Sequence, residues 1–283
     1  MMQKNVHNRR LTRTICRWLA GARSGMTILE LLVAVLIGLF TIAAAMDAYL
    51  SLHTQSVLQN EVNEMQQSGR AAMHVLSGQL RMAGFGLPAT LVPLAGSNTN
   101  PDTITVTNMD AVGCEVSLSA AMASASDNMV CSGADLSCFS PGMRVYAYDA
   151  VNGVGEFFYV TSVESAPPSL SHDAALARAY PKGARVSRIL QAAYYLDRSD
   201  SLHPVLMQRF FGSNPEPYAE NIEDLQFRYV MQDGDTTDTP VNPTLVRNVL
   251  VRLVARSSRV DRVMERDYHR REFLFTVSVR NQE

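Results

Sequence analysis

Glu30 is the ionisable side chain whose setting most needs explaining, because it is the only charged group in the apolar run Met26 to Met46, MTILELLVAVLIGLFTIAAAM. A charge at mid-depth in hydrocarbon costs about 2.5 to 3.5 kcal/mol and calls for a partner or a function. Gly25 directly precedes the run. Hydrolysis of the Gly25–Met26 bond would create an α-amine on Met26 one helical turn from Glu30, or one offered to the Glu30 of a neighbouring molecule. Either pairing neutralises both charges in apolar surroundings. Residues Gly25 to Glu30 therefore read as a processing and assembly signal. No comparable chemistry emerges elsewhere. His53, His74, His172, His203 and His269 belong to no nucleophile, metal or acid–base motif, so no catalytic residue and no cofactor is assigned. Asp233-Gly234-Asp235 and Asp238 look like a fragment of a calcium loop but lack the distal Glu, and they read as a polar turn rather than a metal site.

The elements that must position Glu30 follow from charge and hydropathy. Residues 1–25 contain no Asp or Glu but carry Lys4, Arg9, Arg10, Arg13, Arg17 and Arg23, which places this end in the cytoplasm and the remainder outside. A 21-residue apolar helix spans about 31 Å, enough to cross a bilayer core. A secretory signal cleaved at Ala43-Ala44-Ala45 is the competing reading. It expects an uncharged apolar region of about 7 to 15 residues, and cleavage there would leave Met46 at the new terminus. Beyond the span, Leu58, Val62, Met65, Ala72, Leu76 and Leu80 recur at helical spacing, interrupted by Gly69. Gln59, Glu61, Asn63, Glu64, Gln66, Gln67 and Arg70 fill the opposite side, and Gly84, Gly86 and Pro88 supply a stop. The pattern predicts one helix from Met26 to about Met82, its second half packed on a globular region. Gly69, Gly78 and the absence of sustained heptads argue against a free coiled coil.

The junction Gly25-Met26-Thr27-Ile28-Leu29-Glu30, with its basic leader and apolar helix, resembles that of the type IV prepilins and pseudopilins. The resemblance implies cleavage after Gly25 by a membrane-embedded prepilin peptidase, N-methylation of Met26, and packing of the apolar helix with other minor and major pilins in a filament core. It also implies storage as a single-pass protein of the inner membrane with a periplasmic C-terminal domain. Met26 stands where Phe is more usual, and the region around Asp47 replaces a proline common in major pilins. The segment QQSGRAAMHVLSGQLRMAGFG, Gln66 to Gly86, is similar to the minor pilin group often called PilW and to the related J-type pseudopilins of type II secretion. A closing strand, Phe273 to Asn281, is shared with the same group. The likeness covers Ser24 to Gly86, is patchy over Ala192 to Val230 and Leu245 to Asn281, and is absent between. It implies a minor pilin of a priming or tip complex, with a J-type pseudopilin as the alternative. A membrane-anchored periplasmic enzyme or binding domain is a more distant one.

After Gly86 the sequence predicts strands. Ile104 and Val106 alternate within Thr103 to Thr107, as do Met143, Val145 and Ala147, and Asn152-Gly153 turns that run into Glu156 to Val163. Leu225, Phe227 and Tyr229, then Val249, Val251, Leu253 and Ala255, then Phe273, Phe275, Val277 and Val279 repeat the period of two. The expected fold class is α+β and pilin-like, a long N-terminal helix laid on an antiparallel sheet. The expected organisation is a leader over 1–25, a membrane or filament-core helix over 26–46, its amphipathic continuation over 47–86 and a β-rich periplasmic domain over 87–283, with a variable insertion at Val92 to Ser140. Cys16 leaves with the leader. Of the remaining Cys114, Cys131 and Cys138, an oxidising periplasm permits one disulfide; Cys131 to Cys138 is the shortest closure, with the other pairings open. No histidine stands at ligand spacing from them. Six of the 25 basic residues lie in the leader, leaving 19 against 27 acidic ones, a mature net charge near −8. That balance disfavours nucleic acid as a partner. The clusters Arg178, Lys182, Arg185, Arg188 and Arg266, Arg270, Arg271 lack interleaved aromatic residues and read as solvated faces or subunit contacts.

Overall fold

With a threonine at its head and no proline before Pro88, the apolar sequence forms one continuous helix, α1 (Ile28–Met82), in the computed structural model, which describes residues 26–88, 90–110, 114–132, 135–261 and 267–279. Thr27 caps its start: the Thr27 hydroxyl accepts the Glu30 N–H at 3.3 Å and the Thr27 carbonyl accepts the Leu31 N–H at 3.1 Å. Gly84 ends it, with φ near +79° and its N–H donated to the Thr107 carbonyl at 2.9 Å, so the helix stops where the first long strand receives it. The chain divides into two compact units after Val57. In the first, the apolar side chains from Ile28 to Leu52 are exposed on every side of the helix.

In the second unit, Met65, Gly69, Ala72, Leu76 and Leu80 of α1 form a buried stripe at helical spacing. Fifteen strands follow among the described residues. They are β1 (Leu94–Ser97), β2 (Thr103–Met109), β3 (Glu115–Ser117), β4 (Met129–Val130), β5 (Arg144–Asp149), β6 (Val154–Ser165), β7 (Pro168–His172) and β8 (Arg185–Ser187). After these come β9 (Ile189–Asp197), β10 (Val205–Phe210), β11 (Glu216–Glu220), β12 (Ile222–Met231), β13 (Thr236–Thr237), β14 (Val246–Val260) and β15 (Tyr268–Ser278). Three sheets result, ordered β1-β2-β9-β10-β11, β13-β12-β14-β15 and β3-β8-β5-β6-β7-β4, and every pairing is antiparallel. The α+β class is thus the observed one.

The first two sheets and the helical stripe share one apolar core, in which Leu225, Phe227 and Tyr229 of β12 and Val249, Val251, Leu253 and Ala255 of β14 are all buried. Asp102 joins the sheets. β13 pairs only with Tyr229 and Val230, and upstream of them Asp102 takes up the edge of β12, donating its N–H to the Leu225 carbonyl at 2.9 Å and accepting the Phe227 N–H at 2.8 Å.

The structure corrects four expectations. Gly69 is no interruption of the stripe: a Cβ there would lie 2.2 Å from the ring of Phe273, so the missing side chain is what seats β15 on the helix. Glu61 is no solvent-facing residue, because it accepts the Ser258 N–H at 3.1 Å, is hydrogen-bonded by the Ser258 hydroxyl and pairs with Arg259 at 3.7 Å. The insertion is not Val92 to Ser140. β2 and β9 are neighbours, pairing from Ile104 with Tyr194 to Met109 with Ile189, so the chain leaves and re-enters one sheet around residues 110–188. Strands β3 to β8 build the third sheet there, with a separate core that includes Val116, Leu118, Met129, Val145, Phe158 and Leu170. Finally, the disulfide joins Cys114 to Cys138, 24 residues apart with Cα atoms 5.8 Å from each other, and not Cys131 to Cys138. Cys131 is free and turned into the core of the insertion, in a bridge with Leu118, with its N–H donated to Pro168. Shortest loop closure loses to the burial of that side chain.

Candidate functional site

Thr27 at the cap and Glu30 three residues on have the spacing of a capping box, and the half of it formed here is the Glu30 N–H donated to the Thr27 hydroxyl. The cap fixes the helix from Ile28 onward, so Glu30 sits in its first turn, one turn from the backbone nitrogen of Met26. A carboxylate there also complements the positive end of the helix dipole. Gly25, the other half of the predicted cleavage junction, lies outside the described residues, and Met26 is exposed. The role of Thr27 was missed in the sequence reading, although the Thr-x-x-Glu spacing carried it.

Around this acid the helix is apolar on all faces: Ile28, Leu29, Leu31, Leu32, Ile37 and Phe40 all exceed half exposure. Two hydroxyls along the helix bond back to its own backbone. The Thr41 hydroxyl donates to the carbonyls of Ile37 and Gly38 at 3.0 and 2.8 Å, and Thr54 bonds to Leu50 in the same way at 2.8 Å. α1 is the one helix among the described residues long and apolar enough to cross a membrane, and none of its apolar window is covered by the chain itself. A single-pass anchor followed by a β-rich region fits these facts. So much exposed hydrocarbon requires lipid or the helices of other proteins as cover.

The second half of α1 is fastened rather than free. Glu61 holds the end of β14 as described, its side chain only 13% exposed, and eight residues on Gly69 receives Phe273. Most of the remaining candidates make structural contacts. Arg185 pairs with Glu115 at 3.2 Å, Arg188 with Asp110 at 3.0 Å, and Arg270 with Glu223 and Asp267 at 2.6 and 2.8 Å; Arg271 lies over the Phe273 ring, and Arg266 is outside the described residues. Asp233 accepts the Asp235 N–H at 3.0 Å to close a turn, while Asp238 pairs with Arg228. His53 stacks on Tyr49, His203 and His269 bond to Asp200 and Asp261, and the two ring nitrogens of His172 face the carbonyls of Ala174 and Asp127. Among the described residues no three His, Cys, Asp or Glu side chains are grouped to hold a metal ion. Burial pushes the Cys131 thiol up to about 11, which leaves it a poor nucleophile.

No protein-family model, no curated protein and no solved structure matches this chain.

Proposed function

We propose that the chain is a minor pilin of the PilW-like kind, processed after Gly25 and taken from the inner membrane into the priming or tip complex of a type IV filament. One observation carries the reading: a helix apolar on every face from Ile28 to Met46, whose only acid is Glu30 in its capped first turn, heads a chain that buries apolar cores of its own. Such a helix can exchange lipid for the helices of sibling subunits at little hydrophobic cost, since hydrocarbon and leucine side chains are alike to it. Glu30 then sets the register. A neighbouring subunit aligned so that its Met26 amine meets Glu30 neutralises two charges, and any other alignment leaves both unpaired in an apolar interior. The partners implied are a prepilin peptidase and other minor and major pilins. No nucleic acid is implied.

The test separates cap from charge. Gln serves a capping box as well as Glu does, so Glu30→Gln preserves the start of the helix and removes only the carboxylate. Full-length chain is expressed in a piliated host, and its terminus is read by mass spectrometry. The expected mature protein begins at N-methylated Met26 in wild type, Glu30→Gln and Glu30→Ala alike, while both variants are depleted from sheared filaments and remain in the membrane. Retention of the arginine-rich leader, a terminus at Met46, or wild-type incorporation of Glu30→Gln would each defeat the proposal.

A further inference from the structure

Where the insertion meets the main sheet, a cleft of ≈ 760 Å³ opens beside Arg144, and we propose that it binds a carboxylate carried next to an apolar group. Arg144 on β5 is held in a fixed plane. Its guanidinium lies 3.6 Å from the ring centroid of Phe157 on β6 and 3.9 Å from that of Phe211, which follows β10, so one ring comes from the insertion and the other from the main sheet. Its Nη1 donates to Gln191 Oε1 on β9 at 2.9 Å. A guanidinium has five N–H donors. No carboxylate among the described residues pairs with Arg144, whereas Arg188 on the same cleft wall is matched by Asp110 at 3.0 Å. Arg144 is half-buried, and desolvation lowers its pKa against a smaller opposing effect of Tyr159 on the same cleft.

The remaining donors of a stacked guanidinium suit the planar, two-oxygen geometry of a carboxylate. Met143, Ile189, Leu190, Phe210 and Phe211 supply the apolar wall. Pockets of this size at the seam between two cores commonly hold ligands. Two sources offer the chemistry: an acidic side chain on a protein segment, or a free small organic acid. The inference does not rest on the filament reading, since neither Glu30 nor the membrane helix enters it.

The experiment is calorimetric titration of the full chain in detergent micelles with three probes: acetyl-leucyl-glutamyl-leucinamide, its glutaminyl counterpart and benzoate. The glutamyl peptide is expected to bind about tenfold or more tightly than the glutaminyl one, and Arg144→Gln is expected to remove that difference, the size typical of a hydrogen-bonded charge. Phe211 is 56% exposed, so Phe211→Ala leaves the fold intact and should weaken binding by loosening the stack. A glutamyl peptide tighter than benzoate identifies a protein segment as the source, and benzoate of equal or higher affinity identifies a small acid. The proposal is overturned if neither acid binds, if the glutaminyl peptide binds equally well, or if affinity survives Arg144→Gln. Should Arg144→Gln fail to fold, unchanged affinity in Phe211→Ala overturns it instead.

Discussion

Asp102 is the side chain through which the two sheets of the main core hold each other. It is 4% exposed; one carboxylate oxygen accepts the Thr99 N–H at 2.9 Å and the other the Phe227 N–H at 2.8 Å. Burial raises its pKa, the two N–H groups pull it back, and Asp224 and Asp238 add to the rise. With the folded-state value above the unfolded one, the native state binds the proton more tightly. Stability from that source is fully present below the ordinary carboxyl range and is lost as pH rises through the folded-state pKa. Asp102→Asn cannot titrate. The unfolding free energy of wild type, measured by urea titration at a series of pH values, should therefore fall relative to Asp102→Asn as pH climbs from the ordinary Asp value of about 3.9. A pH-independent difference would refute the assignment. Asp102→Ala should cost about 1 to 3 kcal/mol, the cost of leaving the buried Phe227 N–H without its acceptor.

On the scale of the element, α1 shows what a one-dimensional pattern can and cannot convey. Its end at Met82 was readable because Gly84, Gly86 and Pro88 act on their own stretch of chain. The buried spacing of Met65, Ala72, Leu76 and Leu80 was readable because period and burial are both local consequences of helix geometry. The same holds for the alternation along β12, β14 and β15 and for the β5–β6 turn, where Gly153 takes φ near +63°. Gly69 and Glu61 were misread because their reasons lie some two hundred residues away, in Phe273 and Ser258. Glycine substitutions expose the distinction. Gly78 has open space where a Cβ would go, so Gly78→Ala should stabilise by about 1 kcal/mol through helix propensity alone. Gly69→Ala should instead destabilise by about 1 to 3 kcal/mol through overpacking, despite the same propensity gain. Adding Phe273→Ala should reverse the sign of the Gly69→Ala effect in a double-mutant cycle read by denaturant unfolding. Equal effects at the two glycines would leave the seat of β15 without support.

For the whole molecule, topology makes the insertion a separable structure, because it enters from β2 and returns to β9 with its own sheet and its own core. The two connections are held at Asp110 and Arg188: the Asp110 N–H donates to the Arg188 carbonyl at 3.0 Å, and the Arg188 N–H donates to the Cys114 carbonyl at 3.0 Å. The disulfide begins directly beyond that crossing and closes entirely within the insertion, so its constraint on the unfolded chain stabilises the insertion first. A closure of this length is worth about 3 to 4 kcal/mol on the chain-entropy scale. Both cysteines must be changed together, since a lone Cys138 could pair with Cys131 and imitate the native bridge. In Cys114→Ser/Cys138→Ser, hydrogen exchange should therefore accelerate by a factor of one hundred or more, the kinetic equivalent of about 3 kcal/mol, across β5, β6 and β8. The ladder of β12, β14 and β15 should keep its protection, because its nearest neighbours are the helical stripe and the first sheet. Loss of protection in both regions at once would mean that the two cores unfold as a single cooperative body, and the insertion would then be a continuation of the domain rather than a lobe carried by it.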